Sequence, residues 1–333
     1  QDDAVTVFNG LGFAREELVA LPQAFAHGAQ TAEGEPVAVC GTQALVTLPA
    51  LGAVTLLPAG GGQSQPRAFA KQLETGVLLQ NERVAMQVDR QGHVISYTLD
   101  GREMAAGRPM NVLRMYKDVP RIFDAWDIDS NYREQEACTA RADTLELLKE
   151  EGFSVSVRWT GSIGRSAVTQ VITLRTGSPV AEFDTTIQWR ELHRLLKVEF
   201  PVDVRAENAI HEIQFGYVER PTHRSRGYDQ QRFEVLNDCK YGVGVEQNSI
   251  ELTLLRAAAS PEMASDQGEH RFRYGFTAWS ESFAQAPVVQ QAAAFNDPVW
   301  LEAGSLQAFS AFSTDAANVV IDTVKRADDE SGD

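Results

Sequence analysis

Apolar and polar residues alternate along much of the chain, and this period-two pattern is typical of strands with one buried face. β-Branched and aromatic residues fill these runs, and Gly, Asn, Asp or Pro bounds them, as expected of antiparallel sheets. The clearest runs are VTVFNGL near residue 5, ALVTLPALGAVTLLP from 44, FSVSVRW from 153, VTQVITLR from 168 and EFDTTIQW from 182. The pattern predicts a mainly β protein whose sheets stack as sandwiches.

Two segments contain helix formers, RAFAKQLET from residue 67 and RADTLELLKE from residue 141. Both are short, so each is either a helix or the edge of a sheet. A hairpin is expected in NERVAMQVDRQGHVISYTLDGRE, because the sequence DRQG at 89–92 has turn chemistry and Gly92 permits a positive φ. We expect this hairpin to open a larger sheet.

A polar, glycine-rich stretch, GGGQSQP, occupies residues 60–66 and is typical of a linker or an exposed loop. A chain of 333 residues is long enough for about two domains. We therefore predict a small β-sandwich with its linker over residues 1–78 and a large β domain over residues 79–333.

Composition narrows the range of partners. The 30 basic and 46 acidic residues give a net charge of -16, which repels phosphate backbones and anionic lipids. We therefore expect no nucleic acid and no membrane partner, while a neutral ligand such as a sugar is permitted. Residues 36–66 carry no charge, but prolines and glycines interrupt them, which argues against a membrane span.

The cysteines and the N-terminus indicate the compartment. Cys40, Cys138 and Cys239 are odd in number, far apart in sequence, and match no metal-binding spacing. The first residues, QDDAVTVFNG, lack the basic and apolar regions of a signal peptide. Together these features predict a reducing, cytoplasmic location.

The segment RIFDAWDIDSNY, residues 121–132, interleaves Asp124, Asp127 and Asp129 with Trp126 and Tyr132. Sugar sites use such residues, because aromatic faces cover the C–H faces of a pyranose and carboxylates accept hydrogen bonds from its hydroxyl groups. The alternative is structural: the aspartates cap turns and the tryptophan is part of the core. A calcium loop is not supported, since the D-x-D-x-D-G order is absent.

A second segment, IQFGYVERPTHRSRGYDQQRFEV at 213–235, concentrates positive charge in an acidic protein. Such a cluster requires carboxylates or a ligand opposite it, so ion pairing within the fold is the competing interpretation. Its basic residues are Arg220, His223, Arg224, Arg226 and Arg232.

Three blocks closely resemble the C-terminal β region of glycoside hydrolase family 38 α-mannosidases, and they occur in that family's order. The blocks are NVLRMYKDVPRIFDAWDIDSNY, FGYVERPTHRSRGYDQQRFEV and LNDCKYGVGVEQNSIELTLLRAAASPEMASDQGEHRFRYGF. The resemblance implies the family's small middle β-sandwich over residues 1–78. Over residues 79–333 it implies the large supersandwich, similar in fold to galactose mutarotase and truncated at its end. It is greatest to the bacterial and cytosolic type.

The resemblance also implies where the chemistry lies. Family members carry an N-terminal α/β catalytic domain in which His and Asp hold a divalent metal, usually zinc. An Asp nucleophile there forms a covalent mannosyl intermediate, so the configuration is retained. None of these motifs occurs in the present sequence. We therefore expect no catalytic residue, metal or cofactor in this chain, zinc in the absent catalytic domain, and no activity from this chain alone.

One departure from the resemblance falls between Val235 and Leu236. Relatives carry a segment rich in His, Trp and Asp there, whereas here the two residues adjoin. Either a loop is deleted here or residues are missing and the gap has been closed up, and we expect the latter.

The leading hypothesis is a non-catalytic portion of a retaining, metal-dependent α-mannosidase, which hydrolyses terminal α-mannosides. This portion would buttress the catalytic domain and line part of the mannose pocket. Its expected partners are a mannose-containing carbohydrate, its own N-terminal catalytic domain and possible further copies of itself in a homo-oligomer. The residues expected to bind substrate are Asp124, Trp126, Asp127, Arg220, His223 and Asp229.

Two alternatives remain open. A stand-alone carbohydrate-binding β-sandwich without hydrolytic activity would use the Trp126 region as its sugar platform. A mutarotase-like epimerase would need a histidine and a carboxylate as acid and base, and His223 with Asp127 or Glu219 is the set the sequence offers.

Overall fold

The structure, a computed structural model, describes residues 3–129, 131–203, 206–214, 216–222, 232–246, 248–279, 282–283, 285–316 and 318–328. The chain forms two compact units. The first comprises residues 1–66 and 289–333, and the second comprises residues 67–288. None of the helices among the described residues is long and apolar enough to cross a membrane.

Strands account for most of the regular structure. In chain order they are β1 (Val5–Asn9), β2 (Arg15–Ala20), β3 (Ala29–Thr31), β4 (Pro36–Cys40), β5 (Gln43–Leu48), β6 (Gly52–Pro58), β7 (Ala68–Leu73), β8 (Gly76–Gln80), β9 (Val84–Asp89), β10 (Val94–Leu99), β11 (Arg102–Glu103), β12 (Val112–Lys117), β13 (Glu136–Thr139), β14 (Arg141–Lys149), β15 (Glu151–Gly152), β16 (Ser154–Ile163), β17 (Ser166–Arg175), β18 (Ala181–Trp189), β19 (Arg194–Pro201), β20 (Asn208–Ile213), β21 (Gly216–Pro221), β22 (Arg232–Asn237), β23 (Gly242–Glu246), β24 (Ser249–Arg256), β25 (Gly268–Trp279), β26 (Trp300–Ala303) and β27 (Phe309–Ser310). The helices among the described residues are two short 3-10 turns, Gln23–Phe25 and Tyr132–Gln135, and one α-helix, α1 (Val288–Asn296). The mainly β prediction is confirmed.

The first unit is built on the sheet order β2-β5-β4-β3-β6-β1-β26, with β27 pairing β6 from the side. Its core is the apolar face of these strands together with the 3-10 turn that contributes Phe25. Val5 and Val7 of β1 point into this core, whereas Thr6 and Phe8 lie on the opposite face of the strand. Strand β26 pairs with β1, which joins residues near the C-terminus to the first unit.

The described residues of the second unit form two six-stranded sheets, one five-stranded sheet and a two-stranded one. Their orders are β11-β10-β9-β8-β7-β15, β14-β16-β17-β18-β25-β22, β13-β12-β19-β24-β23 and β20-β21. Strand β16 shows why these residues form a strand: Val155, Val157 and Trp159 alternate into the core. The polar residues between them point outward, so the predicted period of two is observed.

Both segments with helix formers are strands, but only the second is a sheet edge, because β7 lies between β8 and the two-residue β15. Residues 141–149 form β14, an edge strand that pairs with β16. Leu145 and Leu147 pack against the core from this strand, and that two-residue spacing outweighs the helix propensity of their neighbours. Residues 68–73 form β7. The expected hairpin is also present as β9 and β10, with Gly92 at a φ of +79°.

The division into units differs from the predicted boundary between residues 78 and 79. Strands β7 and β8 pair with each other and then with β9, so residues 68–78 join the second unit. The glycine-rich stretch at 60–66 does end the first part of the chain. Strand β22 runs through Val235 and Leu236, which pair with Phe276 and Gly275. That residues are missing between Val235 and Leu236 stays a prediction.

A closed network of polar side chains lies inside the core of the second unit. Gln170 accepts a hydrogen bond from the Trp159 indole at 2.9 Å and from the Asn111 amide at 2.7 Å. Its own amide donates to Thr185 Oγ1 and to the Tyr274 hydroxyl, both at 2.8 Å. Tyr274 in turn donates to Asn111 Oδ1 at 2.7 Å. All five side chains are buried, so the network satisfies groups that water cannot reach.

Candidate functional site

The connection between β12 and β13 exposes several large apolar side chains, and we call residues 118–129 the tryptophan loop. Trp126 is 73% exposed and is the most exposed of its large apolar residues. Large apolar side chains are normally buried, and a group of exposed ones on a single loop usually indicates a contact surface. The exposed apolar residues are Val119, Ile122, Phe123, Trp126 and Ile128.

One arginine holds the backbone of the tryptophan loop in place. Arg256, at the end of β24, pairs with the buried Asp118 through Nε–Oδ2 at 2.5 Å and Nη2–Oδ1 at 3.3 Å. The same guanidinium donates to the carbonyl oxygens of Asp124 at 2.8 Å and Ala125 at 2.9 Å, and to that of Asp127. The planar fork thus joins one carboxylate and three carbonyls.

Asp124 anchors the loop a second time through its own carboxylate. Its Oδ2 accepts a hydrogen bond from the Ala259 N–H at 2.8 Å and lies 3.2 Å from His193 Nε2. These contacts, the Ala259 N–H first, outweigh desolvation and hold the pKa of Asp124 below its usual value. The carboxylate is therefore ionised and already occupied by the fold.

His193 reaches Asp124 because the backbone turns sharply between β18 and β19. His193 has a φ of +51°, an uncommon conformation for a residue with a side chain. Hydrogen bonds stabilise it on both sides: its N–H donates to the Ala257 carbonyl at 2.7 Å, and its carbonyl accepts from the Asp118 N–H at 2.9 Å. The same turn also fixes the start of the tryptophan loop.

A charged cluster on the same five-stranded sheet holds the residues that follow the loop. Glu251 of β24 accepts hydrogen bonds from the Tyr132 hydroxyl at 3.0 Å and from Arg133 Nη2 at 3.1 Å. Lys197 Nζ lies 3.5 Å from Glu251 Oε2. Burial alone would raise the pKa of Glu251, but these cations lower it overall. Strand β24 therefore fastens the connection near both ends, through Arg256 and Glu251.

The structure brings together three of the six predicted site residues. Asp124, Trp126 and Asp127 share the tryptophan loop, where Trp126 and Asp127 donate their N–H groups to the Phe123 carbonyl at 2.8 and 2.9 Å. Arg220 lies exposed on β21 of the separate two-stranded sheet. His223 and Asp229 lie outside the described residues.

Sequence reasoning missed the residues that build the loop. Asp118, His193 and Arg256 lie 63 or more positions apart in the chain, and no local motif links them. Sheet pairing brings them together, since Lys117 pairs with Arg194 and the adjacent Leu195 pairs with Arg256. The one local signal was Arg256 itself, a charged residue at the end of the apolar run LTLL.

Comparison with known proteins identifies the family. A family model described as "Glycosyl hydrolases family 38 C-terminal domain" matches residues 79–264, more than half of the chain. The chain belongs to glycosyl hydrolase family 38. The tryptophan loop and the residues that anchor it all lie inside the matched region of this family 38 chain.

Curated relatives of this family 38 chain are much longer proteins. Alpha-mannosidase 2C1 of Homo sapiens is 34% identical over 356 residues, covering 98% of this chain and 33% of that protein. Alpha-mannosidase G of Dictyostelium discoideum is 27% identical over 290 residues, covering 76% of this chain and 26% of that protein. The chain thus spans about a third or less of the length of these relatives.

Solved structures share the fold. The crystal structure of an alpha-mannosidase from Enterococcus faecalis V583 superposes with a TM-score of 0.75 at 14% identity. The match covers 97% of this chain and 49% of that one. At this identity the likeness concerns the family 38 fold alone.

The described residues do not fit a divalent metal ion. Among them, no three His, Cys, Asp or Glu side chains approach one another closely enough to act as ligands. We therefore derive no step of any reaction through a metal held by this chain.

Proposed function

We propose that this chain is the C-terminal, non-catalytic portion of a retaining, metal-dependent α-mannosidase of the cytoplasm that hydrolyses terminal α-mannosides. Its task is to buttress the catalytic domain and to line part of the mannose pocket. The family match and the names and lengths of the relatives support this proposal. The observation that carries it is the tryptophan loop, where exposed apolar side chains stand on a rigid, charge-anchored backbone.

The fixed backbone of the tryptophan loop and its exposed apolar side chains need separate explanations, unless the loop is a contact surface, which accounts for both. An exposed loop without a partner does not need a buried ion pair and three arginine–carbonyl hydrogen bonds to fix its backbone. Holding apolar side chains in one arrangement lowers the entropy cost of docking. The catalytic domain is the proposed occupant, with Trp126 and Asp127 at the edge of the mannose pocket.

The roles proposed for the polar residues follow from their contacts. Asp124 is a positioning residue, because its ionised carboxylate is bound to Ala259 and lies beside His193, which leaves it unsuited to act as a general acid. Asp127 is proposed to accept hydrogen bonds from sugar hydroxyl groups. Arg220, His223 and Asp229 stay proposed pocket residues, because they lie in the second of the three blocks that resemble the family. The nucleophile, the acid and the zinc ion are assigned to the catalytic domain.

Hydrolysis of an aryl α-mannoside tests this division of labour. We expect no turnover from the 333-residue chain with added zinc or cobalt, and zinc-dependent turnover from a longer protein that joins it to the catalytic domain. In that longer protein, Trp126→Ala should lower kcat/KM about tenfold, since one aromatic contact is lost. Tyr241→Ala, which removes another exposed aromatic ring, is the control and should change kcat/KM less than about twofold. Turnover by this chain alone would overturn the proposal.

A further inference from the structure

A cleft of about 460 Å³ opens on the first unit, and no part of it lies within residues 79–264 that match the family model. Its size falls in the range of small-molecule sites, which combine apolar and aromatic walls with a few polar groups. The residues that form its aromatic and polar walls are Phe8, Trp300, Phe309, Phe312, Asp322 and Thr323.

The aromatic walls follow from sheet register. Trp300 of β26 lies directly opposite Phe8 of β1, which lies opposite Ala53 of β6, which lies opposite Phe309 of β27. Directly paired residues share a face, so these four side chains form one row across four strands. The row lies on the face opposite the core residues Val5 and Val7. Ala53 itself is fully buried, and the aromatic residues on either side of it in the row line the cleft.

The Trp300 ring is fixed in position yet accessible. It stacks on Phe8 with ring centroids 5.1 Å apart and an angle of 2° between the rings. Trp300 nevertheless remains 47% exposed, and Phe312 is exposed to the same extent. A stacked and half-exposed indole presents a flat, rigid surface without the entropy cost of ordering a mobile side chain.

Two glycines allow backbone segments to close the walls. A Cβ at Gly52 would lie 2.1 Å from the Phe309 carbonyl oxygen, so only glycine allows β27 to approach β6 this closely. A Cβ at Gly12 would lie 2.1 Å from the Ile321 carbonyl oxygen. This second approach brings the segment with Asp322 and Thr323 to the cleft. Glycine therefore permits, at two positions, the close backbone approaches that form the cleft.

The polar groups select the charge of a ligand. The exposed Asp322 carboxylate accepts a hydrogen bond from Thr323 Oγ1 at 3.0 Å, and its remaining acceptor positions face solvent. Among the residues that the structure describes, those lining the cleft include no Lys or Arg, and the chain carries a net charge of -16. Anions are therefore disfavoured, whereas a neutral ligand with several hydroxyl donors is complementary.

We propose that this cleft binds a neutral hexopyranose unit of a glycan, with its C–H face on Trp300 and a hydroxyl group donating to Asp322. A pyranose ring has one apolar face of C–H groups and a rim of hydroxyl groups, which matches a flat indole beside a carboxylate. The site is independent of the proposed hydrolytic function, and binding there would break no bond.

Titration of the 333-residue chain with methyl α-mannopyranoside and methyl β-glucopyranoside, followed through the indole N–H signals in NMR spectra, tests the proposal. Trp300→Phe assigns the Trp300 signal. We expect saturable shifts of that signal with a Kd in the millimolar range, about what a ligand of a dozen non-hydrogen atoms attains on an open site. Glucuronate, the same ring with a carboxylate, should bind at least about fivefold more weakly.

Variants separate this cleft from the tryptophan loop. Trp300→Ala lacks the indole that reports binding, so the variants are followed through their backbone amide signals. Trp300→Ala should weaken binding about tenfold, and Asp322→Ala about threefold. Asp322 is exposed on an extended segment, so its replacement reports on binding even if Trp300→Ala unfolds the first unit. Trp126→Ala should leave the Kd within about twofold.

Three outcomes would overturn the proposal. One is the absence of saturable shifts up to about 50 mM sugar, which corresponds to negligible affinity. Another is loss of binding in Trp126→Ala with no change in Trp300→Ala. The third is self-association of the chain through the cleft, seen as a dimer in light scattering that Trp300→Ala dissociates. None of these outcomes bears on whether the longer protein hydrolyses mannosides, so the two proposals fail separately.

Discussion

The core of the second unit and the tryptophan loop use polar groups in opposite ways. In the core, Gln170 joins Asn111 and Tyr274 in a buried network whose side chains satisfy one another. In the loop, the buried Asp118 and the half-buried Arg256 hold the backbone, and the apolar side chains are left in water. The first arrangement stabilises one packing of two sheets, and the second maintains a surface that the isolated chain does not need for stability.

The difference separates residues that determine the fold from residues that prepare a contact. Removing a side chain of the core network leaves buried polar groups without hydrogen-bond partners, which lowers the free energy of unfolding. Removing an exposed apolar side chain of the loop loses little in this chain and would matter only when a partner covers it. Substitutions in the two regions should therefore give effects of very different size on the free energy of unfolding.

The largest effect is expected from Gln170→Leu. The substitution fills a similar volume but removes the acceptor of the Trp159 indole and the donor to Thr185. We expect the free energy of unfolding to fall by about 3 to 5 kcal/mol, because several buried groups lose a partner at once. Urea denaturation followed by the fluorescence of the buried tryptophans measures it.

Gln188→Leu, on the neighbouring strand β18, is the matched control. Gln188 is only half-buried, and its amide donates to Glu269 near the surface at 2.5 Å. Its loss should lower the free energy of unfolding by less than about 1 kcal/mol. Equal losses in the two variants would show that the core network has no special role.

Arg256→Met should produce the next largest effect. It leaves Asp118 buried without its cation and frees three loop carbonyls, so we expect a loss of about 3 kcal/mol. The amides of the tryptophan loop should also exchange faster with solvent. Hydrogen exchange resolved by residue tests both the stability and its location.

Arg271→Met controls for the removal of an arginine. Arg271 pairs with Glu269 at 2.8 Å on the surface, and loss of such an exposed pair should change the free energy of unfolding by less than about 0.5 kcal/mol. A loop that exchanges at the wild-type rate in Arg256→Met would contradict the anchoring role.

A smaller effect is expected from pH, through Asp124. The Ala259 N–H, and after it His193, holds the pKa of this carboxyl below its unfolded value in the folded chain. Its contribution to stability is therefore complete above the unfolded pKa of about 4 and is lost as the pH falls through the folded pKa. Asp124→Asn should flatten the acid limb of the stability curve, measured by urea denaturation from about pH 6 to about pH 3.

Other carboxylates contribute to the same limb, among them Glu251 and Asp89, whose pKa values are also lowered. The test is therefore the difference between wild-type and variant slopes. Trp126→Ala, which changes no titratable group in the same loop, should keep the wild-type slope. An unchanged slope in Asp124→Asn would mean that the Ala259 contact does not stabilise the folded chain.

The fold was largely readable from the sequence because its signal is local. Val155, Val157 and Trp159 alternate within five residues, and the turn with Gly92 marks a hairpin by itself. The helix formers of residues 141–149 left their structure open, since propensity and period disagreed and only the pairing with β16 decides between them. The return of β26 to β1 depends on a pairing across almost the whole chain, which no local pattern encodes.

The candidate site was readable only in part for the same reason. Asp124, Trp126 and Asp127 are neighbours, so their composition identified the loop. Their support comes from His193 and Arg256, which reach the loop through two strand pairings. The hydrogen bonds of Gln170 could not be predicted either. The alternating pattern shows that a polar residue lies within a strand, but not which side chains it contacts.

The smallest effect on the free energy of unfolding is expected at Trp126, in the loop that the sequence predicted as a sugar site. Trp126→Ser should change the free energy of unfolding by less than about 0.5 kcal/mol, because most of the ring is already in water. The same substitution should shorten retention on a hydrophobic-interaction column, since the loop loses its largest exposed apolar group. Trp159→Ser, which removes a buried ring, is the contrast and should cost about 3 to 5 kcal/mol. A comparable loss in Trp126→Ser would mean that this ring packs within the chain, and the tryptophan loop could not then be a surface kept for a partner.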